Sequence, residues 1–501
     1  MDQFLAESAA LLSTPLPQAE SHYDQTAKGL VSALNKLSAS DLASARTALD
    51  SANTDDHQEL PSSHHTILYT YILLANIEVS AASGKAAPRQ VPPSVLPEGA
   101  LWRYIAHLLF EFDPIQARYC GSQLLRIVDY VSLGAEQTTN YVPAIQMLHH
   151  FILRLDSTSS TLTSTHRTFV RLCLLSQAYA EAAQVLDKPI YHIPSIQPDT
   201  RTNRYLCSDL NRSYLFLSPA TGLSQPITSR TYLEYYLLGG MCYMALRRYQ
   251  DAMLFLEVVL TAPAVQNVAS AIMVEAYKKW LLVGLLIRGA TPTIPKNVGQ
   301  NAIKHIRALA RPYECVAEAF KIGNIERLRA EIEAGNLIWQ DDNNYGLMVE
   351  VYQAFRKFAV LKLGRTFAAL SIAEVARRTS PDASNLGETK AYLGALIASG
   401  ALNAVITDGS NGGQTLRFLS SSTSAKSEAQ VETALVAQAQ DLQTLLQHVQ
   451  DTEHRLEVSR EYVDYLRKLK KLKEEDKKSS GTGAGRSAAV EDVDEDMMEE
   501  F

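Results

Sequence analysis

The stretch YYLLGGMCYMALRRYQDAMLFLEVVLTAP, residues 235–263, shows most clearly how this chain folds. Apolar and aromatic residues recur through it at helical spacing, which predicts a pair of helices. Gly240 and Ala252 are small enough to let the two helices approach closely, and the aromatic residues would fill the groove between them. The pattern therefore favours a helical hairpin over a ligand or cofactor site.

Several positions of this hairpin fall near the tetratricopeptide template. They are Tyr236, Gly240, Tyr243, Ala252 and Leu256, with Pro263 near the terminal proline of the template. The hairpin is therefore interpreted as one degenerate, TPR-like helical repeat.

Amphipathic helical patterns also precede the hairpin. They recur at residues 67–79, 101–112, 122–133, 142–155, 166–178 and 180–186, with short polar breaks such as residues 157–160. Because little strand signal appears before residue 364, the fold class is predicted to be mainly α, an α-solenoid of helical repeats. We divide it into an N-terminal helical-repeat region, residues 1–228, and a second helical region, residues 229–364.

The pattern changes after residue 364, where helix-start signals come close together. Ser371 and Glu374 predict a capping box, in which Glu374 reaches back to the backbone of Ser371. Asn385 predicts the start of a second helix, and Gly400 is placed to end it in the left-handed conformation.

Two β-like runs follow, at residues 402–407 and 414–420. The glycine-rich sequence of residues 408–413 joins them, which predicts a β-hairpin. The succession of helix, turn, helix and hairpin predicts a winged-helix subdomain over residues 365–421.

A C-terminal helix is predicted over residues 427–475. Its apolar seam repeats at heptad spacing and consists of Leu435, Leu442, Leu445, Val449, Leu456, Val463 and Leu466. Gln438 and Thr452 interrupt the seam, and such a narrow seam favours a helix packed in a bundle over a self-sufficient coiled coil. Residues 476–501 contain too little apolar surface to offset the entropy of ordering and are predicted to be a disordered acidic tail.

The distribution of charge argues against a dedicated nucleic-acid binder. The formal charge of −7 comes from residues 487–501, which carry seven acids and no base, so the remaining acids balance the 47 bases. Nucleic-acid binding needs a basic surface. For contacts to nucleic acid, the second helix of the predicted winged helix offers only the basic residue Lys390, which Glu388 offsets. The β-hairpin adds only Arg417.

Arg377 and Arg378 are the remaining basic pair of this region. They could touch phosphate, but we favour a solvated helix end.

The sequence contains no recognised catalytic or metal-binding pattern. The adjacent pairs His64-His65 and His149-His150 would point about 100° apart on a helix, which is unsuited to sharing one metal ion. The five cysteines are widely spaced and are interpreted as reduced, buried thiols. We therefore predict no catalytic residue, no metal and no cofactor.

The apolar runs are too short to cross a membrane. The longest one, residues 280–287, falls far below the roughly 20 residues needed to span the hydrocarbon layer. Asp2 and Glu7 make the first residues unlike a secretory signal. We expect a soluble protein of the cytoplasm and nucleus.

Two surfaces are predicted to bind other protein chains. The first is the edge of the predicted β-hairpin, which can pair with a strand of a partner. The residues assigned to this edge are Leu402, Val405, Ile406, Leu416 and Phe418. The second is the apolar seam of the C-terminal helix.

The predicted layout of helical repeats, a winged helix and a bundle-forming helix resembles that of the PCI-domain family. Three segments and one run of the predicted winged helix carry a closer resemblance. They are EYYLLGGMCYMALRRYQDAMLFLEVVLTAP (234–263), MVEAYKKWLLVGLLIRG (273–289), DDNNYGLMVEVYQAF (341–355) and LSIAEVARR (370–378). Proteins of this family scaffold the proteasome lid, the translation initiation factor three complex and the COP signalosome. Within the family, the sequences of these segments are similar to those of COP signalosome subunit three. The resemblance covers about residues 160–420.

This resemblance implies a PCI domain, with its helical part at residues 229–364 and its winged helix at 365–421. It also implies a non-catalytic scaffold that supports removal of Nedd8 from cullin-RING ubiquitin ligases. The implied partners are other PCI subunits, a metalloprotease-type subunit that holds the zinc and, indirectly, the cullin-RING ligases. In such subunits the winged helices line up edge to edge and the last helices gather in a bundle.

Three alternatives remain open at this point. The chain could be a PCI subunit of the proteasome lid or of the translation initiation factor three complex. It could be a winged-helix nucleic-acid adaptor, or an enzyme with an unrecognised site.

Overall fold

Helices make up most of this computed structural model. It describes residues 2–13, 19–46, 62–83, 91–194, 205–208, 213–263, 269–380, 384–408, 414–419, 428–457, 462, 464, 465 and 467–470. The seam residues Val463 and Leu466 and the predicted acidic tail lie outside this set.

The first half of the chain consists mainly of helices. They are α1 (Asp2–Ser13), α2 (Glu20–Leu34), α3 (Ala39–Ser44), α4 (Thr66–Ser83), α5 (Trp102–Glu111), α6 (Pro114–Ala117), α7 (Gly121–Thr138), α8 (Val142–Leu155), α9 (Ser164–Ser176) and α10 (Tyr179–Leu186), with 3-10 turns at Pro93–Val95 and Ser213–Leu215.

The second half continues the helices and then adds strands. The elements are α11 (Ser229–Ala245), α12 (Tyr249–Thr261), α13 (Ala271–Arg288), α14 (Gln300–Leu309), α15 (Arg311–Ile322), α16 (Ile325–Ala334), α17 (Asn336–Asp341), α18 (Tyr345–Thr366), β1 (Ala369–Ser371), α19 (Ile372–Thr379), α20 (Leu386–Ala398), β2 (Ala404–Asp408), β3 (Gln414–Phe418) and α21 (Glu428–Glu457). The mainly α fold class predicted from the sequence is confirmed.

The chain divides into two compact units, Met1–Leu393 and Gly394–Phe501. The predicted domain boundaries after residues 228, 364 and 421 stay predictions. Among the described residues, no helix combines the length and the apolar character needed to cross a membrane.

The predicted hairpin is formed by α11 and α12, which pack against each other, and α12 packs in turn on α13. A Cβ atom at Gly240 would lie 3.2 Å from Leu256 Cδ2, so glycine permits the close approach that the sequence predicted. The neighbouring Gly239 is tighter still, because a Cβ atom there would lie 2.8 Å from the ring of Phe255. Small residues on α11 therefore set the spacing of this pair.

Among the described residues of the first unit, two hydrophobic cores stand out, and the hairpin contributes to both. Tyr235 and Tyr243 belong to the core formed with the helices before α11. Leu256 and Val259 belong to the core formed with the helices that follow. The hairpin is thus the part of the chain at which one core gives way to the next.

A polar network beneath α18 joins two of the segments that carry the family resemblance. The buried Lys279 ammonium on α13 donates to Asn344 Oδ1 at 2.9 Å, and Asn344 Nδ2 donates to the Tyr313 hydroxyl at 2.8 Å. Tyr313 donates to Asp342 Oδ2 at 2.8 Å, and Lys278 Nζ lies 2.7 Å from the same oxygen. Because buried polar groups need partners, this network fixes the start of α18 on α13 and α15.

The elements after α18 follow one another in the order predicted for a winged helix. Ser371 caps α19 by accepting from the backbone N–H of Glu374 at 3.3 Å. Asn385 Oδ1 accepts from the N–H of Glu388 at 3.1 Å, and Gly400 adopts φ of +69° at the end of α20. The predicted helix starts and stop are confirmed.

The second half of the capping box is corrected. The Glu374 carboxylate does not reach back to the backbone of Ser371. It accepts instead from Arg377 at 2.8 Å and from Arg378 at 2.6 Å. Two charged donors on the same helix win this competition because charge-assisted hydrogen bonds are stronger than a bond to a neutral N–H.

The polar break at residues 157–160 is an ordered turn built on Asp156. Its carboxylate accepts from the backbone N–H groups of Thr158 at 3.0 Å and Ser160 at 2.9 Å. The buried His166 ring closes the turn, since its Nδ1 accepts from the N–H of Thr163 at 3.2 Å and its Nε2 lies 2.8 Å from Ser159 Oγ. The ring is therefore neutral, with its proton on Nε2, and burial lowers the pKa of His166 to about 4.

We expect Leu256→Ala to lower the free energy of unfolding by about 2–5 kcal/mol, because Leu256 is 0% exposed and its removal leaves a cavity. Leu254→Ala is the matched control on the same helix, where the side chain is 62% exposed. It should change the free energy by less than about 0.5 kcal/mol. Denaturant unfolding followed by circular dichroism measures both, and equal effects would show that the packing of α12 is misplaced.

The His166 ring makes a second, pH-dependent prediction. The unfolded ring takes up a proton below pH 6.5, whereas the folded ring resists protonation down to about pH 4. The stability due to the neutral ring is therefore complete above pH 6.5. It should decline by about 1.4 kcal/mol per pH unit as the pH falls toward 4.

His166→Gln keeps one donor and one acceptor without titrating and serves as the reference. Unfolding free energies of both proteins at pH 7, 6 and 5 give the comparison. Parallel pH profiles would contradict the assignment of this slope to His166, because all other titrating groups are shared.

Candidate partner-binding surfaces

The C-terminal helix α21 is exposed along its whole described length. Leu442 and Val449 are 59% and 53% exposed, and of the α21 side chains that the structure describes only His448 is half-buried. Burying this apolar area would stabilise a complex by roughly 25 cal/mol per Å², so such a helix is a candidate for a partner surface.

The predicted seam residues lie on this exposed helix. Leu435, Leu442, Leu445, Val449 and Leu456 are all more than half exposed. With a rise of about 1.5 Å per residue, these seam residues extend over roughly 32 Å of the helix. Their role at an interface stays a prediction.

Two further apolar residues widen the seam. Val436 and Leu446 are 53% and 54% exposed, and sequence reasoning missed them because it kept strictly to heptad positions. Each directly follows a seam residue, Leu435 or Leu445, and a search for a broader apolar stripe would have found them.

The hairpin of β2 and β3 is antiparallel and pairs Val405 with Arg417 and Ile406 with Leu416. One face carries Leu416 at 0% exposure together with the half-buried Ile406 and Phe418. The other face carries the exposed Val405 and Arg417. The faces differ because successive side chains of a strand point to opposite sides.

This alternation corrects part of the predicted edge. Leu402 and Leu416 are buried by the chain's own fold, so these two side chains are not available to a partner. The prediction grouped the apolar residues of the hairpin without separating its two faces. Val405 is the assigned residue that is exposed, and the backbone of β2 lies at an edge of its sheet.

Arg377 and Arg378, the basic pair of α19, are engaged within the chain. Hydrogen bonds from Arg377 and Arg378 lower the pKa of Glu374, and the Arg378 guanidinium lies 5.2 Å from the centre of the Phe367 ring. These contacts agree with the predicted solvated helix end. Both guanidinium groups donate to the same carboxylate, that of Glu374.

The candidate metal and nucleophile residues do not converge. In the part of the chain that the structure describes, no group of three His, Cys, Asp or Glu residues could hold a metal ion. His65 Nδ1 instead lies 2.7 Å from Ser8 Oγ. The thiols of Cys120 and Cys242 are free and buried, and burial raises the pKa of each to about 12. Neither thiol is activated as a nucleophile.

These features define a class of protein. It is a helical-repeat protein whose described residues leave the apolar stripe of one long helix uncovered. Comparison with known proteins then gives the family. The family model described as "COP9 signalosome complex subunit 3, N-terminal helical repeats" matches residues 24–301.

Three proteins with similar sequences have the name COP9 signalosome complex subunit 3. COP9 signalosome complex subunit 3 of Emericella nidulans is 34% identical over 438 residues, which cover 87% of each chain. The subunit of the same name from Neurospora crassa is 28% identical and covers 80% of this chain and 82% of its own. That from Dictyostelium discoideum is 27% identical over 53% of this chain and 57% of its own. The chain belongs to the COP9 signalosome subunit 3 family.

A substitution on each face of the hairpin tests the two environments. Leu416→Glu should destabilise the hairpin by several kcal/mol, because it places a carboxylate where the side chain is fully buried. Val405→Glu should change stability little, because Val405 is 45% exposed. Hydrogen exchange of the β2 and β3 amides measures both. Protection lost equally in the two variants would show that the faces are misassigned.

Proposed function

We propose that this protein is a non-catalytic scaffold subunit of the COP9 signalosome. The observation that carries the proposal is the apolar stripe of α21, which stays exposed in a chain of the subunit 3 family. A stripe of this length leaves a large apolar area in contact with water, and a subunit interface would remove it.

The proposed partners are the other PCI subunits and a metalloprotease-type subunit of the same complex. In this proposal α21 joins a bundle with helices of those chains, and the edge of β2 pairs with a neighbouring strand. The exposed side chain of Val405 and the edge position of β2 support the second contact.

The proposed biochemical role is indirect. The family resemblance of the sequence implies that hydrolysis of the Nedd8–cullin bond occurs on the metalloprotease-type subunit. This chain would hold the complex together while cullin-RING ligases bind and leave. We propose that it does so in the cytoplasm and the nucleus.

A triple variant of the seam tests this role. Leu442→Glu, Val449→Glu and Leu456→Glu together should abolish recovery of the other subunits with the tagged chain, because buried unpaired carboxylates cost several kcal/mol each. The fold should persist, since all three side chains are more than half exposed. Affinity purification, mass spectrometry of the bound chains and circular dichroism give the three readouts.

Thr433→Glu, Gln440→Glu and Gln447→Glu form the matched control. They add the same charge to the same helix on the side opposite the seam, and they should leave assembly intact. Equal loss in both triples would indicate a general effect of charge. Full recovery with the seam triple would exclude α21 as the interface.

A further inference from the structure

The charge along α21 limits which partner its seam can accept. Over Glu428–Glu457 the helix carries six acids and one base, Arg455, which gives this stretch a formal charge of −5. The apolar surface of α21 is therefore presented in a strongly acidic setting.

Three of the acids and one base, Arg455, lie at the positions that flank the seam. With Leu435, Leu442, Val449 and Leu456 at heptad position a, Glu432 and Glu453 fall at position e and Asp441 at position g. All three are exposed. Residues at e and g face the flanks of the partner helix and select it by charge.

We infer that the seam of α21 binds a helix of another chain that carries lysine or arginine beside its own apolar heptads. This inference rests on the proposed function and specifies the chemistry of the partner at that same surface. Basic side chains at the partner's flanking positions would lie opposite Glu432, Asp441 and Glu453. Their attraction adds to the burial of the two apolar seams.

The same charges disfavour three other occupants. A second copy of α21 would bring two stretches of −5 together. A membrane surface attracts helices whose polar face is rich in lysine and arginine, and the polar face here is acidic. A nucleic acid would be repelled for the same reason.

The test uses the full chain and two labelled helical peptides. Each peptide has four heptads with leucine at a and d. One has lysine at every e and g position, and the other has glutamate there. Like charges keep each peptide from pairing with itself, so binding to the protein is read directly from fluorescence anisotropy.

At 0.05 M NaCl the lysine peptide should bind about tenfold more tightly than the glutamate peptide. A tenfold difference corresponds to about 1.4 kcal/mol, which three exposed ion pairs can supply together. The difference should shrink at 0.5 M NaCl, because salt screens exposed charges over a few ångströms.

Two triple variants separate flanking charge from net charge. Glu432→Gln, Asp441→Asn and Glu453→Gln should weaken binding of the lysine peptide about fivefold to tenfold. Thr433→Lys, Gln440→Lys and Gln447→Lys change the net charge by the same amount at the position opposite the seam, and they should change binding less than about twofold.

Equal affinity for both peptides, equal effects of the two triples or no binding of either peptide would each overturn the inference. A dimer of the full chain in sedimentation that the seam triple abolishes would also overturn it. Equal affinity for the peptides would leave the proposed function standing. Failure of that function would show instead as an absence of other subunits in the purified material.

Discussion

Packing of α11 against α12 is the interaction on which the rest of the first unit depends. The two helices place aromatic residues such as Tyr235 and Tyr243 in the core that precedes them and Leu256 and Val259 in the core that follows. Because protein interiors are packed at crystal-like density, a shift in this pair would be felt in both cores. Glycine on α11 keeps the pair close, which explains why the hairpin carries the clearest repeat pattern of the chain.

The polar network around Lys279 shows how the later helices are tied to this framework. A buried ammonium is costly unless its partners are fixed, and Asn344 is fixed by Tyr313 in turn. The resemblance of residues 273–289 and 341–355 to the family therefore has a physical basis. Their polar residues meet at one buried site and orient the start of α18.

The helices of the first unit and the C-terminal helix both have apolar residues at helical spacing, but these residues lie in different environments. In the repeats the apolar stripe is buried by neighbouring helices of the same chain. In α21 the stripe stays exposed and is bordered mainly by carboxylates. Burial inside the chain gives stability, whereas the exposed and mainly acidic seam would give selectivity for a partner in the role that we propose.

Helix positions, the cap at Ser371, the stop at Gly400 and the apolar seam of α21 were all predictable, because each depends on residues within one or two turns of each other. The partners of Glu374, the burial of Leu416 and the ordered turn at Asp156 were not. Glu374 had two competing sets of donors, and strand residues divide between faces according to what covers each face. Helical periodicity and capping depend on residues that are close together in the sequence, so the sequence alone determines them. Burial is a property of segments far apart in the chain, and it is settled when they pack together.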